Sequence, residues 1–417
     1  MTDDTLGFTD ELSTEQGAVG YLLSARAVRE RSLQLYRYVE QGNSQHFLLR
    51  EENLPRVVDL VVKEIQSNYP DLNVPYHSRW RHFGVGGIDR EVVLDHLLAQ
   101  SSRREMVMAK VELAIISVLL DAGAGMAWRY TEPELGQTYG RSEGLAVASF
   151  HGFTGGLFGV EPLTVDAETL SALTDDDLAE LFQVSASNPL SGLSGRTALL
   201  KNLGAIIASE PRYFPGPAKR LGNIVNYLVP AESGKVSAES LLVGVLHALG
   251  GIWPGRLSLG GTPLGDVWKH DALRSHDMTS GFIPFHKLSQ WLTYSLCEPL
   301  QGLHGRIEGV ERLTGLAEYR NGGLLIDGEL VALRNASDAS VSHAPSSELV
   351  VEWRALTVTL LDKIADGVRA TLGVSEEEFP LAKVLQGGTW SVGRALAQAK
   401  RKDGGPPITI QSDGTVF

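Results

Sequence analysis

The sequence predicts a mostly α-helical protein, one large helical domain carrying a few short β-hairpins. Two observations carry this expectation. Apolar residues recur at helical spacing through long segments whose ends bear Ser, Thr, Asp, Pro or Gly. Alternating strand patterns are short and never alternate regularly with helices, which argues against a Rossmann or TIM-barrel arrangement.

The elements follow in chain order. Tyr21 to Val39 carries Leu22, Val28, Leu35 and Val39 among arginines, with Gly42 as a stop. A second helix starts after Asn53, holds Pro55 in its first turn, buries Val58, Val61, Val62 and Ile65, and ends before Pro70. Pro75 to Arg90 reads as irregular. Val107 to Leu120 is an apolar helix, too short for a bilayer and interrupted by Ser117. Asp121 to Gly159, rich in glycine and aromatics, mixes short helices with loops. Thr174 to Asp177 forms a capping box before Leu178. Ser237 to Leu249 is a helix closed by Gly250 and Gly251. Pro284 to Glu298 and Gly309 to Tyr319 are two successive helices. Gly323 to Leu333, with Asp327-Gly328 inside, reads as a small hairpin. Ser347 to Leu372 is a long amphipathic helix with Val350, Trp353, Leu360, Ile364 and Val368 at core spacing. The tail from Ile408 to Phe417 alternates around Asp413-Gly414. The expected parts are residues 1–105, an N-terminal helical layer with an Arg/Trp/Gly loop; residues 106–335, a helical core with the site; and residues 336–417, the long helix and tail on the same domain.

Composition narrows the function. The chain has 417 residues, is 43% hydrophobic and carries a net charge of −13, ordinary for a globular protein. An acidic surface repels nucleic acid and anionic membranes, so neither is an expected partner. The single cysteine, Cys297, excludes an internal disulfide and a Cys-based zinc site. Met1-Thr2-Asp3-Asp4 is acidic and lacks an apolar leader, and a cytoplasmic location is expected. Gly234-Lys235 lacks the rest of a P-loop. Asp89 stands where Gly84-Val85-Gly86 would need the third glycine of a dinucleotide fingerprint, and Arg196 ends what would be a nucleophile elbow at Gly192.

The residues that could carry chemistry cluster at several points. Phe285 to Trp291 places His286, Lys287 and Gln290 at the start of an apolar helix, with Tyr294 on the face of Lys287 and Gln290. A solvated polar face is the plain alternative. Glu318 and Arg320 are expected in the last turn of a helix that Asn321-Gly322-Gly323 terminates. An acid is disfavoured there by about 0.3–1 kcal/mol, so either Arg320 offsets it as an ion pair or the carboxylate is held for function. His270-Asp271 beside Trp268 suits a site, and Asp271 equally suits a helix cap. The stretch Trp80, Arg81, His82 to Asp89 and Arg90 combines cations, aromatics and glycines, fitting either a ligand-facing loop or a stacked structural one.

Trp80-Arg81-His82-Phe83, Leu316 to Asp327, Gly388-Thr389-Trp390 and the tail from Pro406 to Phe417 resemble the uracil catabolism protein four family of fungi and bacteria, over almost the whole chain. The resemblance implies a role in breaking down uracil through a ribosylated urea-type intermediate. A more distant one links Phe285 to Gln290, Leu313-Thr314, Ala317 to Arg320, Pro189-Leu190, Arg196 and Gly204 to the queuosine salvage N-glycosidases, over roughly residues 106–333. It implies a helical, DNA-glycosylase-like fold, Lys287 at the sugar or phosphate, and Glu318 as the catalytic carboxylate. Here the chain departs from that family, which has Asp at Glu318 and Pro-Gln at Asn321-Gly322.

The reading is therefore hydrolysis of the N-glycosidic bond of a ribosylurea or its 5′-phosphate, without cofactor or metal. Glu318 is the expected catalytic carboxylate and Asp271 a second one. Substrate-binding residues are Lys287, Arg320, Arg81, Arg90, His82, Asp89, His270, His286, Gln290 and Tyr294, with Trp80 and Trp268 as walls. Expected partners are the ribosylated small molecule and other uracil-catabolism enzymes. Two alternatives stand: an amidohydrolase acting on the ureido group, and a non-catalytic scaffold or regulator of the pathway.

Overall fold

The computed structural model describes residues 11–230, 235–253 and 256–411. Met1 to Asp4, Gly234 and the Asp413-Gly414 turn lie outside them. The chain is mostly α-helical, with strands of two or three residues paired two by two among the described residues. No helix of the described residues is long and apolar enough to cross a membrane.

The chain forms two compact units, neither a continuous stretch of sequence. Among the described residues the first comprises 11–77, 256–290 and 309–411; the second comprises 78–230, 235–253 and 291–308. The N-terminal and C-terminal helical segments therefore build one unit together.

In the first unit helix Glu348–Leu372 is the central rod. Ser347 caps its start and Gly373 ends it in the left-handed conformation, φ 71°. Leu349 to Leu361 is buried without interruption. Val351, Ala355 and Val358 meet Val28 and Leu35 of helix Ala25–Glu40, together with Leu273, Ile283, Phe285 and Ala317. That cluster supports the site described below. The Tyr21–Val39 expectation is corrected at Ser24. Its hydroxyl accepts from the Ala27 N–H, so the chain starts a new helix there and Glu15–Leu22 stands apart. Helix Leu54–Asn68 carries Pro55 at its start and buries Val57, Val58, Val61, Val62 and Ile65.

The expected hairpin at 323–333 is also corrected. Helix Tyr319–Asp327 runs through Asn321-Gly322-Gly323, and Val331–Leu333 pairs antiparallel with Phe47–Leu49. The glycine is not a helix stop. A Cβ on Gly322 would lie 2.8 Å from Trp353, whose indole N–H donates to the Gly322 carbonyl at 3.0 Å. Close packing against the rod requires glycine here.

In the second unit helix Arg103–Leu120 is buried from Val107 onward apart from Lys110 and lies against helix Arg141–Thr154. The Thr174–Asp177 capping box is present, and Ser237 caps helix Ala238–Leu249 as expected. Trp80–Phe83 is a single helical turn followed by a tight turn at Val85–Gly87.

Candidate active site

The acid that the sequence placed at a helix end begins a helix instead. Glu318 has extended backbone, φ −116° and ψ 165°, and is the cap of helix Tyr319–Asp327. Its carboxylate accepts from the Arg320 and Asn321 N–H groups, each at 2.6 Å. The physical reason is the helix field: the unsatisfied amides of a first turn attract an anion, whereas the last turn repels it. Glu318 keeps partial solvent access while densely surrounded by protein. Burial raises its carboxyl above the usual range. The Lys287 ammonium, the two amides and Arg320 oppose that rise.

Lys287 opens helix Lys287–His304. The device that holds it was not foreseen. Asp266 accepts from the Lys287 N–H at 3.0 Å, from the Trp268 indole at 2.6 Å and from both terminal nitrogens of Arg354 at 2.7 Å each. Arg354 also donates through Nε to the Ala317 carbonyl at 3.1 Å, the residue before Glu318, and stacks 4.2 Å from the centre of the Phe285 ring. One ion pair, with Arg354 buried and Asp266 partly buried, thus fixes the starts of both helices. Burial alone would raise the Asp266 carboxyl; the charge and bonds of Arg354, with Trp268 and the Lys287 amide, hold it well below the usual carboxylate range. Asp266 and Arg354 lie 88 positions apart. The only local signal was an acid two residues before a tryptophan.

The neighbouring residues of the first unit are committed to structure. His286 adopts φ 47°, which turns the chain from strand Phe282–Pro284 into the Lys287 helix. Its Nε2 lies 2.7 Å from the Leu22 carbonyl, and burial lowers its basicity. Gln290 and Thr314 clamp each other: the Gln290 Oε1 accepts from the Thr314 N–H at 2.8 Å, and its Nε2 donates to the Thr314 hydroxyl. His270 is the cap of the turn Asp271–Leu273. Its Nδ1 accepts from the Ala272 N–H, so Nε2 donates to Glu352, at 3.2 Å. Asp271 is exposed and pairs with Arg274 at 2.9 Å on the surface. Its expected place as a second carboxylate is corrected: neither the helix caps nor the ion pair around Glu318 use it. Trp268 packs on the core cluster, with the Arg256 guanidinium 5.1 Å from its ring centre.

The remaining residues belong to the second unit. Trp80 is buried and donates to the Ser295 carbonyl at 2.8 Å. Arg81 pairs with Glu298 at 2.5 Å, and His82 meets Trp291 edge to face. Asp89 caps helix Arg90–Leu97. Arg90 is buried, forks onto Glu132 and donates to the Phe83 and Val85 carbonyls. Tyr294 is buried. The expected phosphate-binding use of Arg90 is corrected: Glu132 and two carbonyls already take its donors. The structural alternative holds for this loop, because a buried guanidinium requires such partners.

Residues 21–417 match the family described as "Protein of unknown function (DUF1688)". The chain is 38% identical to Protein urg3 of Schizosaccharomyces pombe over 420 residues, covering 97% of this chain and 100% of that protein. It is 35% identical to Uracil catabolism protein 4 of Lachancea kluyveri over 442 residues, again covering 97% and 100%. With relatives aligned across their full lengths and a family match that begins at residue 21 and ends at residue 417, the chain belongs to the DUF1688 family.

Proposed function

We propose that this protein acts in uracil catabolism, hydrolysing the N-glycosidic bond of a ribosylurea or its 5′-phosphate. The name of the Lachancea kluyveri relative supports the pathway, and the likeness of Phe285 to Gln290 and Ala317 to Arg320 to the queuosine salvage N-glycosidases supports the bond. The observation that carries the chemistry is Glu318: a partly exposed carboxylate, anchored by two amides, with the Lys287 cation in its field.

The reaction needs a group that stabilises positive charge at C1 of the sugar and takes a proton from water. Anchored Glu318 serves both needs, by the logic of enzymatic sugar hydrolysis. The C1–N bond breaks, its electron pair leaves with the ureido nitrogen, and a proton completes urea. Water supplies the hydroxyl that remains on C1 of ribose or ribose 5-phosphate. Lys287 favours the ionised form of Glu318 and binds oxygen atoms of the substrate. Asp266 and Arg354 hold the two helix starts in register.

The test is release of urea and ribose from ribosylurea and its 5′-phosphate by chelator-treated protein, with Glu318→Gln alongside. Release that vanishes in the variant supports the assignment. Release that survives removes Glu318 from the chemistry. No release from either substrate by folded protein overturns the glycosidase and favours the amidohydrolase or scaffold readings.

A further inference from the structure

Helices Asp175–Leu181 and Tyr319–Asp327 start alike, with an oxygen-bearing cap and a polar side chain three residues later, yet that side chain behaves differently in each. At the first, the Asp177 carboxylate folds back onto the cap residue. It accepts from the Thr174 N–H at 2.8 Å and from the Thr174 hydroxyl at 2.6 Å. At the second, the equivalent residue is Asn321, and its side chain is drawn away. The Asn321 Oδ1 accepts from the Thr389 hydroxyl at 2.9 Å, across 68 positions of sequence. The Glu318 N–H donates to the Leu316 carbonyl at 2.9 Å instead.

Packing places Thr389. It ends the π-helical turn Leu385–Thr389, which joins helices Leu381–Val384 and Trp390–Lys400. A Cβ on Gly388 would lie 2.6 Å from Val61, so the turn is pressed onto helix Leu54–Asn68. Asn321 and Thr389 are both fully buried. With its Oδ1 on Thr389, Asn321 has an Nδ2 without a hydrogen-bond partner among the described residues. A buried donor left unpaired costs about 1–3 kcal/mol, so stability does not account for the asparagine. An acceptor for that donor lies close by. Glu318 Oε1 is 2.6 Å from the backbone nitrogen of Asn321 itself, and rotation of the Asn321 side chain turns Nδ2 toward it.

We propose that Thr389 is a positioning residue for Glu318: by holding the Asn321 carboxamide it keeps the Nδ2 donor off the carboxylate, which stays available to substrate. The catalytic consequence rests on the glycosidase reading; the titration of Glu318 does not. A donor bound to an ionised carboxylate favours that form and lowers its pKa. The carboxylate is then a weaker base toward water. The charges acting on Glu318 are those of Lys287 and Arg320, and a change at Thr389 removes neither.

The test is the titration of Glu318 in the full chain, read by carbon-13 NMR of the glutamate carboxyls and assigned with Glu318→Gln, beside ribosylurea turnover. Thr389→Val keeps the volume and loses the hydroxyl. It should lower the Glu318 midpoint by about one pH unit and cut kcat about tenfold with KM within about twofold. Thr389→Ser keeps the hydroxyl and should titrate like wild type, which guards against misfolding of the valine variant. Thr389→Val combined with Asn321→Ala removes the released carboxamide and should also titrate like wild type; a general loosening of the turn would not be cured in this way. An unchanged or raised midpoint in folded Thr389→Val overturns the proposal. So does a lowered midpoint that Asn321→Ala fails to restore, or one that Thr389→Ser shares. A midpoint lowered in Thr389→Val and restored by Asn321→Ala, with no cleavage of ribosylurea by wild type, keeps the positioning role and rejects the glycosidase.

Discussion

Two regions look alike in sequence and differ in the fold. The loop from Trp80 to Arg90 and the pair of helix starts at Lys287 and Glu318 both gather charge beside aromatics. In the loop the buried cation is matched: Arg90 forks onto Glu132 and donates to two carbonyls. At the helix starts the matched pair, Asp266–Arg354, sits one layer behind a carboxylate that remains in reach of solvent with a raised pKa. A buried charge with every donor or acceptor satisfied is scaffold. A charge held by scaffold, accessible and displaced from its ordinary pKa, is where chemistry is expected.

The comparison can be broken most sharply at Glu318. Glu318→Gln should reduce ribosylurea cleavage at least about a thousandfold, read by urea release. Part of the cap should survive, since the amide oxygen still accepts from one of the two N–H groups. Next come the matched pairs. Asp266→Asn leaves Arg354 buried without its counter-ion and should cost about 3–5 kcal/mol in denaturant unfolding. Asp266→Asn with Arg354→Met should cost less than the single change. Arg90→Met should cost about 3 kcal/mol by leaving the buried Glu132 with His151 as its remaining cationic partner, and leave kcat within about twofold in the folded protein. A large kcat loss there would erase the distinction between the regions.

A smaller effect concerns acid. His77 has a folded pKa of about 4, depressed below its ordinary 6.5 chiefly by burial. The unfolded chain then binds the proton more readily. Stability is therefore intact above pH 6.5 and falls as pH drops through 4, by about 3 kcal/mol from this residue. Urea unfolding at pH 7 and pH 4 should show a smaller difference in His77→Gln. The smallest effect is expected at Asp271. Asp271→Asn, at an exposed ion pair, should change stability by less than about 0.5 kcal/mol and leave ribosylurea cleavage intact. A loss of activity there would return it to the site.

Much of the fold was legible. Thr174 is expected as a cap, and Ser237 and Ser347 as helix starts; all three are caps in the structure, and a cap is legible because it is a contact between near neighbours. The helix expected from Pro284 begins at Lys287, because Phe282–Pro284 is a strand. Glu318 stands out in the sequence as an unusual acid, and the structure puts it at the other end of a helix from the one expected. Gly322 and Gly323 look like a stop in one dimension, and only the approach of Trp353 explains glycine inside the helix. Asp271 stands out in the sequence because it follows a histidine directly, and Asp266 does not stand out at all. Nothing local distinguishes an exposed acid paired with Arg274 from a partly buried one that meets Arg354.

The sequence by itself determined the helical class, the helix caps, the family resemblance and the segments at Lys287 and Glu318, since these depend on residue type, period and near neighbours. The tertiary structure decided which acids and cations are buried, which are matched, and that Lys287 and Arg320 act on the same carboxylate. Those outcomes depend on contacts between distant segments. Desolvation and pairing energies, set by three-dimensional neighbours, then separate scaffold charges from reactive ones.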